Sequence, residues 1–562
     1  MSLCHSAWPN TSVAWQAADA PIAVEAGAIA TVQPLATEAG LGAYQRGGNA
    51  IDAAVAAALT LGVVDGHNSG IGGGCFILIH RADGTTFAID GRETAPAAAH
   101  ENMFLRDGKP QAGLSETGPL ATGVPGAIAA YYRALRRHGN LSFAELLEPA
   151  AQIAENGFPL DSVSARRLAS TADKLMQFSA SKAIYFKPNG HPYGEGELLK
   201  QPDLAQTYRG IARQGPDYFY RGPVAQAVSE WMSKNGGMIT ANDFGNYEAK
   251  TRDAIVTNYR GYDVIGFPPP SSGGVHVAEM LNILEPFDLR AMHQRDPVQL
   301  LHVIAEAMKL AFADRAYWLG DADFADVPRG LIDKEYGRLL SQRINVDRAT
   351  PVPEHGEPPQ WKSDLFERHT THVAAADKLG NWVAITATVN TSFGSKVVVP
   401  GTGVVLNNQM DDFSVFPGVP NFFGLVGAIN NAVAPGKRPL SSMSPTIVLK
   451  DGRPVLTVGA AGGPKIITQV LLAIVRTIDL QMPLDEAIAQ PRIHHQWSPD
   501  KLMVEHSMDA TIIQRLKQFG HVIDVLPLHS AGVTQAIGWK SNGQLWPVHD
   551  PRIPGQASVY VP

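Results

Sequence analysis

A threonine that directly follows a polar linker is the residue of this sequence best placed for covalent chemistry. The sequence predicts a hairpin with strands at 371–377 and 382–390, and Thr370 immediately precedes the first strand. Residues 345–369 are rich in proline, charged and polar groups without a usable periodicity, which is typical of an exposed linker. A peptide break between His369 and Thr370 would give the threonine a free α-amine beside its own hydroxyl.

A threonine with a free amine can supply both a nucleophile and a base. A model α-amine has a pKa of about 7.7–8.0, so at neutral pH it can accept the proton of the adjacent hydroxyl. Activation of an N-terminal threonine by its own amine is an established form of covalent catalysis. The Thr370 hydroxyl could first attack the carbonyl of His369, so that cleavage needs no protease. These features predict a self-cleaving enzyme that breaks amides and transfers acyl groups.

The second strand of the predicted hairpin brings polar groups toward this threonine. Pairing across the turn places Thr370 opposite Thr388 or Val389, and Thr388 shares one strand face with Asn390. Polar residues on one face of a strand are usually only its solvent-facing side, so this alternation alone favours a structural interpretation. The position of Thr370 directly after the linker favours a functional one.

The elements around the hairpin predict a four-layer αββα sandwich, of class α/β (α+β). Strand pairs precede and follow long helical stretches, an order that favours two sheets between helices over a wound βαβ fold. The predicted elements are helices at 36–45 and 51–63, a hairpin at 76–90, mostly helical patterns at 124–340 interrupted by a strand at 262–267, a hairpin at 446–459, helices at 466–478 and 510–519, and strands at 521–526 and 534–539.

The composition argues against several other classes of protein. The 562 residues are 45% hydrophobic and 18% charged, and a net charge of -7 gives no reason to expect nucleic acid or an anionic membrane as partner. The longest apolar stretch, 53–64, is shorter than the roughly 20 residues of a membrane-spanning helix. The first ten residues show no signal peptide, which predicts a cytoplasmic protein as written, or a periplasmic or secreted one if an export signal was removed.

Cysteine, histidine and glycine patterns predict no cofactor and no metal. Cys4 and Cys75 make no metal spacing and no disulfide framework. His494 and His495 have no third ligand-like partner, so we interpret them as structural. The glycine run 70–74 follows a predicted helix, whereas a dinucleotide fingerprint follows a strand, so it predicts tight backbone packing that could border the site.

Ordered motifs from about Ala28 to the C-terminus resemble the γ-glutamyltransferase (γ-glutamyltranspeptidase) family of the N-terminal-nucleophile hydrolase superfamily. The motifs are DGRETAP at 90–96, PPPSSGG at 268–274, TTH at 370–372, TATVNTSFGS at 386–395, LNNQMDDF at 406–413, PLSSMSPT at 439–446 and AAGGPKIIT at 460–468. So many motifs in matching order make the resemblance far more specific than any single glycine pattern.

The resemblance implies an activity and a division of the chain. A precursor would split into a large subunit, 1–369, and a small catalytic subunit, 370–562, which together form one αββα domain as a heterodimer. Thr370 would attack the γ-amide of glutathione or another γ-glutamyl compound and form a γ-glutamyl ester. Water, an amino acid or a peptide would then take the acyl group. The resemblance implies no cofactor.

The resemblance also implies roles for individual residues. Thr388 would orient the nucleophile, and the backbone N–H groups of Gly462 and Gly463 would form the oxyanion hole, where the lack of a Cβ permits close approach. A γ-glutamyl substrate carries a zwitterionic α-amino acid end, so its pocket needs groups of both signs. The implied binders are Arg92, Ser441 and Ser442 for the carboxylate, and Asn390, Gln409 and Asp412 for the ammonium.

Two departures from the family pattern concern the pocket. The segment 417–427 is similar to a lid loop found in some members, and Phe423 stands where many relatives carry tyrosine, which removes a hydroxyl from the lid. Gly91 replaces a bulkier residue before the arginine, which predicts a wider pocket.

Two rival functions remain open at this stage. A same-fold amidase for another acyl group, such as a cephalosporin acylase, is disfavoured because it would leave Arg92 and Asp412 without a charged substrate group. A solute-binding homologue that keeps the pocket but is never cleaved would remain a single chain.

Overall fold

A computed structural model of the protein describes residues 26–359, 372–414 and 418–562. Cys4, the predicted cleavage position His369–Thr370 and Pro417 therefore lie outside the described residues.

The helices are α1 Pro34–Gln45, α2 Ala50–Val64, α3 Ala112–Glu116, α4 Ala127–His138, α5 Phe143–Asn156, α6 Ser162–Leu175, α7 Ser179–Tyr185, α8 Pro202–Gln214, α9 Asp217–Tyr220, α10 Pro223–Asn235, α11 Ala241–Gly245, α12 Gly273–Leu284, α13 Leu289–Arg295, α14 Pro297–Trp318, α15 Lys334–Ser341, α16 Lys465–Ile478, α17 Leu484–Ala489 and α18 Ala510–Gln518. The strands are β1 Gly27–Thr31, β2 Gly74–His80, β3 Thr86–Gly91, β4 Leu105–Arg106, β5 Lys109–Pro110, β6 Phe158–Pro159, β7 Leu198–Leu199, β8 Lys250–Arg252, β9 Ile255–Tyr259, β10 Tyr262–Gly266, β11 His372–Asp377, β12 Trp382–Thr388, β13 Thr446–Lys450, β14 Arg453–Ala461, β15 Ile493–His494, β16 Leu502–Glu505, β17 Ile523–Leu526, β18 Val533–Trp539, β19 Leu545–His549 and β20 Gln556–Tyr560.

Two antiparallel sheets form the centre of the molecule. Among the described residues, the first sheet has the strand order β20-β1-β11-β12-β2-β3-β8 and the second the order β19-β18-β14-β13-β10-β9. Helices α1 and α2 pack on the outer face of the first sheet, and α12 and α16 pack on the outer face of the second. The predicted four-layer αββα sandwich is confirmed.

The hairpin β11–β12 is buried on both faces because it lies in the middle of the first sheet. Ala374 and Ala384 belong to the apolar layer between the sheets, whereas Val373 and Ile385 face the helical layer. Strands covered on both sides are expected to be almost continuously apolar. Thr388 is also buried, so the polar alternation of β12 is not a solvent-facing side.

The register of this hairpin matches the first of the two pairings allowed by the sequence. His372 pairs with Thr386 and Ala376 with Trp382, and the Asp377 backbone N–H donates to the Asn381 carbonyl at 3.0 Å. The tight turn that Asp377 closes fixes this register, because the Asp377 carboxylate also accepts from the backbone and side-chain nitrogens of Asn381.

Residues 345–359 contain neither helix nor strand, and several of them bond to neighbouring segments of the fold. Trp497 Nε1 donates to the carbonyl of Val352 at 2.7 Å, and Trp318 Nε1 donates to that of Gly356 at 3.1 Å. This segment therefore runs along the protein surface on fixed contacts. No helix in the described part of the chain is long and apolar enough to cross a membrane.

Candidate active site

The end of β12 forms one side of the candidate site. Thr388 is the last residue of the strand, and its Oγ1 accepts from the Asn390 backbone N–H at 2.8 Å. Asn390 has φ 79°, in the left-handed region that asparagine tolerates. Its Nδ2 donates to the Asn408 carbonyl at 3.0 Å. The Asn390 Oδ1 accepts no hydrogen bond from any described residue.

The glycine run 70–74 packs against this end of β12, in keeping with the tight backbone packing predicted for it. A Cβ on Gly73 would lie 1.9 Å from the Thr388 carbonyl oxygen, and one on Gly72 would lie 2.0 Å from the Val405 oxygen. Only glycine allows the backbone of these two segments to approach so closely. The run therefore positions Thr388 without contributing a side chain.

Ser441 and Ser442 lie on a segment fixed by the loop before α12. The Ser272 backbone N–H donates to the Ser441 carbonyl at 2.6 Å, and Ser271 Oγ donates to the Met443 carbonyl at 2.6 Å. Ser441 is 1% exposed, yet its hydroxyl has no hydrogen-bond partner among the described residues. Since buried hydroxyls are normally bonded, this one indicates a ligand position.

Arg315 on α14 is a cavity residue that the sequence analysis did not identify. Its Nε donates to Ser272 Oγ at 2.9 Å and its Nη2 to Ser442 Oγ at 3.2 Å. Burial lowers the pKa of its guanidinium to about 10, so the group stays charged at neutral pH. A buried arginine within a largely apolar helix could have suggested this role, but only the tertiary structure brings it to Ser442.

Arg92 and Asp412, predicted to bind opposite ends of one substrate, bond to each other. Arg92 is fully buried, and its Nη2 donates to Asp412 Oδ2 at 2.6 Å. The guanidinium also donates to the Pro439 and Leu440 carbonyls at 3.3 and 3.4 Å, and its Nη1 lies 3.4 Å from Glu93 Oε2. Burial raises the pKa of Asp412, and the Arg92 charge opposes that shift. The expectation that these two charges stay unpaired without a zwitterionic substrate is therefore wrong.

Gln409 supports the same carboxylate. Its Nε2 donates to Asp412 Oδ2 at 3.3 Å, and its own Oε1 is buried with no partner among the described residues. A buried amide oxygen without a donor beside a carboxylate is suited to receive an ammonium group.

Gly462 and Gly463 lie between the end of β14 and the start of α16. Their φ angles are 137° and 61°, in the region that favours glycine. Neither backbone N–H donates to an acceptor in the described chain, and both residues precede the positive end of a fourteen-residue helix. Two free N–H groups at such a position can stabilise a developing oxyanion.

Phe423 covers this pair. A Cβ on Gly463 would lie 2.7 Å from Phe423 Cδ1, so the ring packs directly on the glycine. The lid backbone is held by Phe422 N–H donating to Asp411 Oδ2 at 3.0 Å and by Gln496 Nε2 donating to the Phe423 carbonyl at 3.2 Å. Gly91 has no part in the pocket, because a Cβ there would meet Ala130 at 2.6 Å.

These elements surround one cavity of about 500 Å³. Of the residues predicted for the site, those lining it are Thr388, Asn390, Asp412, Phe423, Ser441, Ser442, Gly462 and Gly463. Arg92 and Gln409 lie behind Asp412 and do not line it. Thr370 lies outside the described residues, and β11 begins two residues after it.

One buried group in the described chain has the donor types of a metal site, away from this cavity. His302, Glu306 and His521 offer ligand atoms within 4.8 Å of one another. His302 Nδ1 lies 2.8 Å from His521 Nε2, and Lys309 Nζ lies 2.8 Å from Glu306. The cluster is thus satisfied by hydrogen bonds and a lysine charge. His494 also has both ring nitrogens in hydrogen bonds, to Thr468 and Gln496.

The sandwich and the cavity at the end of its central strands define the class of N-terminal-nucleophile hydrolases. The sequence model of the gamma-glutamyltranspeptidase family matches residues 36–560. The chain is 42% identical to the glutathione hydrolase proenzyme of Escherichia coli (strain K12), over 95% of this chain and 91% of that protein. The chain therefore belongs to the γ-glutamyltranspeptidase family, and the predictions of this family and of an enzyme of this type are confirmed.

Solved structures agree with the assignment of the fold. A cephalosporin acylase from Bacillus halodurans superposes with a TM-score of 0.85 at 30% identity, covering 98% of this chain and 99% of that one. Helicobacter pylori gamma-glutamyltranspeptidase superposes with a TM-score of 0.56 at 42% identity, covering 57% of this chain and 92% of that one.

Proposed function

We propose that the protein is a glutathione hydrolase and γ-glutamyltransferase that cleaves itself between His369 and Thr370. The observation that carries the proposal is the cavity that brings Thr388, the glycine pair and the two serines together at the end of β12. The sequence predicts Thr370 opposite Thr388, and the observed pairing of His372 with Thr386 is the register that this prediction requires. The subunits would be residues 1–369 and 370–562, associated as a heterodimer.

The proposed reaction passes through an ester of Thr370. The threonine amine accepts the hydroxyl proton, and the oxygen attacks the γ-carbonyl of the substrate. The N–H groups of Gly462 and Gly463 stabilise the oxyanion, and one such donor contributes about 3–4 kcal/mol to transition-state stabilisation. The amine of the donor substrate leaves with this proton, and the γ-glutamyl group remains as an ester of Thr370. Water or an acceptor amine then cleaves the ester.

A zwitterionic acyl group can bind by exchanging with the buried ion pair. Its carboxylate would take the place of Asp412 beside Arg92, with Ser441 and Ser442 as further donors. Its ammonium would take the place of Arg92 beside Asp412, with Gln409 Oε1 and Asn390 Oδ1 as further acceptors. Such an exchange leaves no buried charge unpaired, which is the condition for binding in a desolvated site.

The same-fold amidase remains the second candidate, because the similarity to a cephalosporin acylase covers nearly the whole chain. The Arg92–Asp412 pair also removes the objection that these charges need a charged substrate. Turnover of γ-glutamyl-4-nitroanilide and glutaryl-4-nitroanilide separates the two, because the donors differ only in the α-ammonium. We expect the γ-glutamyl donor to be preferred; a preference for the glutaryl donor would reverse the assignment.

Self-cleavage is tested by the mass of the purified protein. The wild type should contain a fragment that begins at Thr370, of about 21 kDa at the mean residue mass of the chain. Thr370→Ala should remain a single chain, whereas Thr371→Ala serves as the matched control and should still split. Cleavage of Thr370→Ala at this bond would refute the proposed nucleophile, and an intact wild type without turnover would favour the solute-binding homologue.

A further inference from the structure

The charges that line the cavity are strongly unbalanced. Its basic lining residues are Arg167, Lys174, Arg315, Lys396 and Lys465, whereas Asp412 is the acidic lining residue among those described. The chain as a whole carries a net charge of -7, so this concentration of positive charge is local. A cavity of one sign raises the local concentration of ligands of the other sign.

Two of these cations are already held by neighbouring groups. Arg315 bonds to Ser272 and Ser442 at the end of the cavity proposed for the acyl group. Lys396 is buried, and its Nζ donates to Thr391 Oγ1 at 2.8 Å and to the Gly394 carbonyl at 2.5 Å. Both therefore have a structural or acyl-binding explanation, and three cations remain.

The remaining cations lie on two elements that line the cavity. Arg167, Ser170, Thr171 and Lys174 all line it, and their spacing places them on one face of α6. Lys465 is the first residue of α16, two residues after Gly463. It is therefore close in the chain to the proposed oxyanion hole, beside which the leaving group of the donor must be bound.

Two of the three cations form no direct ion pair, and Arg167 acts on the carboxylate of Asp65 only through its charge. Neither the Arg167 guanidinium nor the Lys465 ammonium forms a hydrogen bond or an ion pair anywhere in 26–359, 372–414 or 418–562. Burial lowers the pKa of Lys465, and the charge of Arg167 lowers it further, so the two cations repel each other. Lys174 is 3.4 Å from Glu116 but half exposed. An anion placed among them would relieve this repulsion.

We propose that Arg167, Lys174 and Lys465 form an anion subsite for a carboxylate on the leaving group of the donor and on the acceptor that replaces it. The inference rests on the proposed γ-glutamyl transfer, because the leaving group and the acceptor amine occupy the same side of the Thr370 ester. The α-carboxylate of the γ-glutamyl group has its own proposed partners, Arg92, Ser441 and Ser442. The subsite therefore selects peptides and amino acids with a free carboxylate over neutral amines.

The donor arm of the test compares two chromogenic substrates that differ by one carboxylate. These are γ-glutamyl-4-nitroanilide and γ-glutamyl-3-carboxy-4-nitroanilide, assayed at low and high salt. We expect wild type to prefer the carboxylated donor in kcat/KM, and Arg167→Gln with Lys174→Gln to reduce that preference about tenfold. Turnover of the neutral donor should be unchanged. High salt should reduce the preference in wild type as well, because it screens exposed charges.

Arg166→Gln is the matched control, because Arg166 is exposed on the same helix and does not line the cavity. It should leave the preference unchanged. The acceptor arm compares glycylglycine with glycylglycinamide at fixed donor, and the same double variant should reduce the preference for the free carboxylate.

Each outcome decides between defined alternatives. A changed preference in the donor arm alone assigns the subsite to the leaving group, and one in the acceptor arm alone assigns it to the acceptor. Turnover with unchanged preference in both arms would overturn the subsite and leave the γ-glutamyl activity standing. An equal loss of preference in Arg166→Gln would show that the effect comes from the overall positive charge of the helix. That result would also overturn the subsite. Wild type inactive on both donors would refute the proposed function, and the subsite with it.

Discussion

Replacing Arg92 by lysine tests how the acyl group is recognised. The substitution keeps a positive charge beside Asp412 and Glu93 but removes the planar fork that also reaches the Pro439 and Leu440 carbonyls. Those carbonyls precede the serine pair, so Arg92 holds both the carboxylate partner and the segment that carries the hydroxyl donors.

The size of the effect follows from these contacts. Loss of one charge-assisted hydrogen bond in a buried site contributes about 2 kcal/mol, which corresponds to roughly thirtyfold in kcat/KM. We expect Arg92→Lys to lower kcat/KM for γ-glutamyl-4-nitroanilide by this factor while the precursor still splits. Arg133→Lys is the matched control, because Arg133 bonds to Glu248 outside the cavity.

Arg315→Lys gives the discriminating comparison. If the substrate carboxylate exchanges into the Arg92–Asp412 pair, Arg92→Lys should have the larger effect. If the substrate carboxylate instead binds Arg315, which lines the cavity, Arg315→Lys should have the larger effect on kcat/KM. Thermal unfolding of each variant separates binding from folding. Unchanged turnover in Arg92→Lys, in a protein that is folded and split, would refute the role of Arg92.

Three further predictions concern the lid and its acids. Phe423→Tyr should raise the ratio of transpeptidation to hydrolysis with glycylglycine, because a hydroxyl could bond the lid closed; an unchanged ratio would show that the backbone bonds suffice. Asp412→Asn should narrow the preference for the γ-glutamyl over the glutaryl donor about tenfold or more, since the ammonium loses its charged partner; an unchanged ratio would contradict this. Burial raises the pKa of Asp411 to about 6, so its contribution to stability is present below the unfolded value near 4 and is lost as pH rises through 6. Unfolding at pH 5 and 7 should therefore show wild type losing about 1 kcal/mol relative to Asp411→Asn; a constant difference would exclude this carboxyl as the cause.

Elements with strong local signals could be predicted from the sequence. The β11–β12 hairpin is marked by a polar turn between apolar strands, and α5 begins with a capping box between Ser142 and Glu145. The strand β1 was not predicted. Its five residues are buried on both faces, so they show no alternation, and their partners β11 and β20 lie hundreds of residues away.

The sequence motifs identified most of the predicted residues that line the cavity, but they did not reveal which charged residues pair with each other. Eight predicted residues line it, because each lies in a motif whose local backbone sets its position. The Arg92–Asp412 bond joins residues 320 positions apart, and the contact of Arg315 with Ser442 joins residues 127 apart. No local pattern encodes such distances, so a pairing of charges across the fold could not be read from composition or spacing.

Under the proposed exchange, the buried Arg92–Asp412 ion pair determines which acyl groups can bind. An isolated charge in this site would carry a large desolvation penalty, and the pair avoids it while no substrate is bound. A ligand that carries only a carboxylate can bind Arg92 by displacing Asp412. The Asp412 carboxylate is then left without its cationic partner. A ligand with both charges restores both partners. The proposed site therefore favours a zwitterionic acyl group mainly because any other acyl group would leave one buried charge unpaired. Stronger attraction to the zwitterion itself contributes less to this preference.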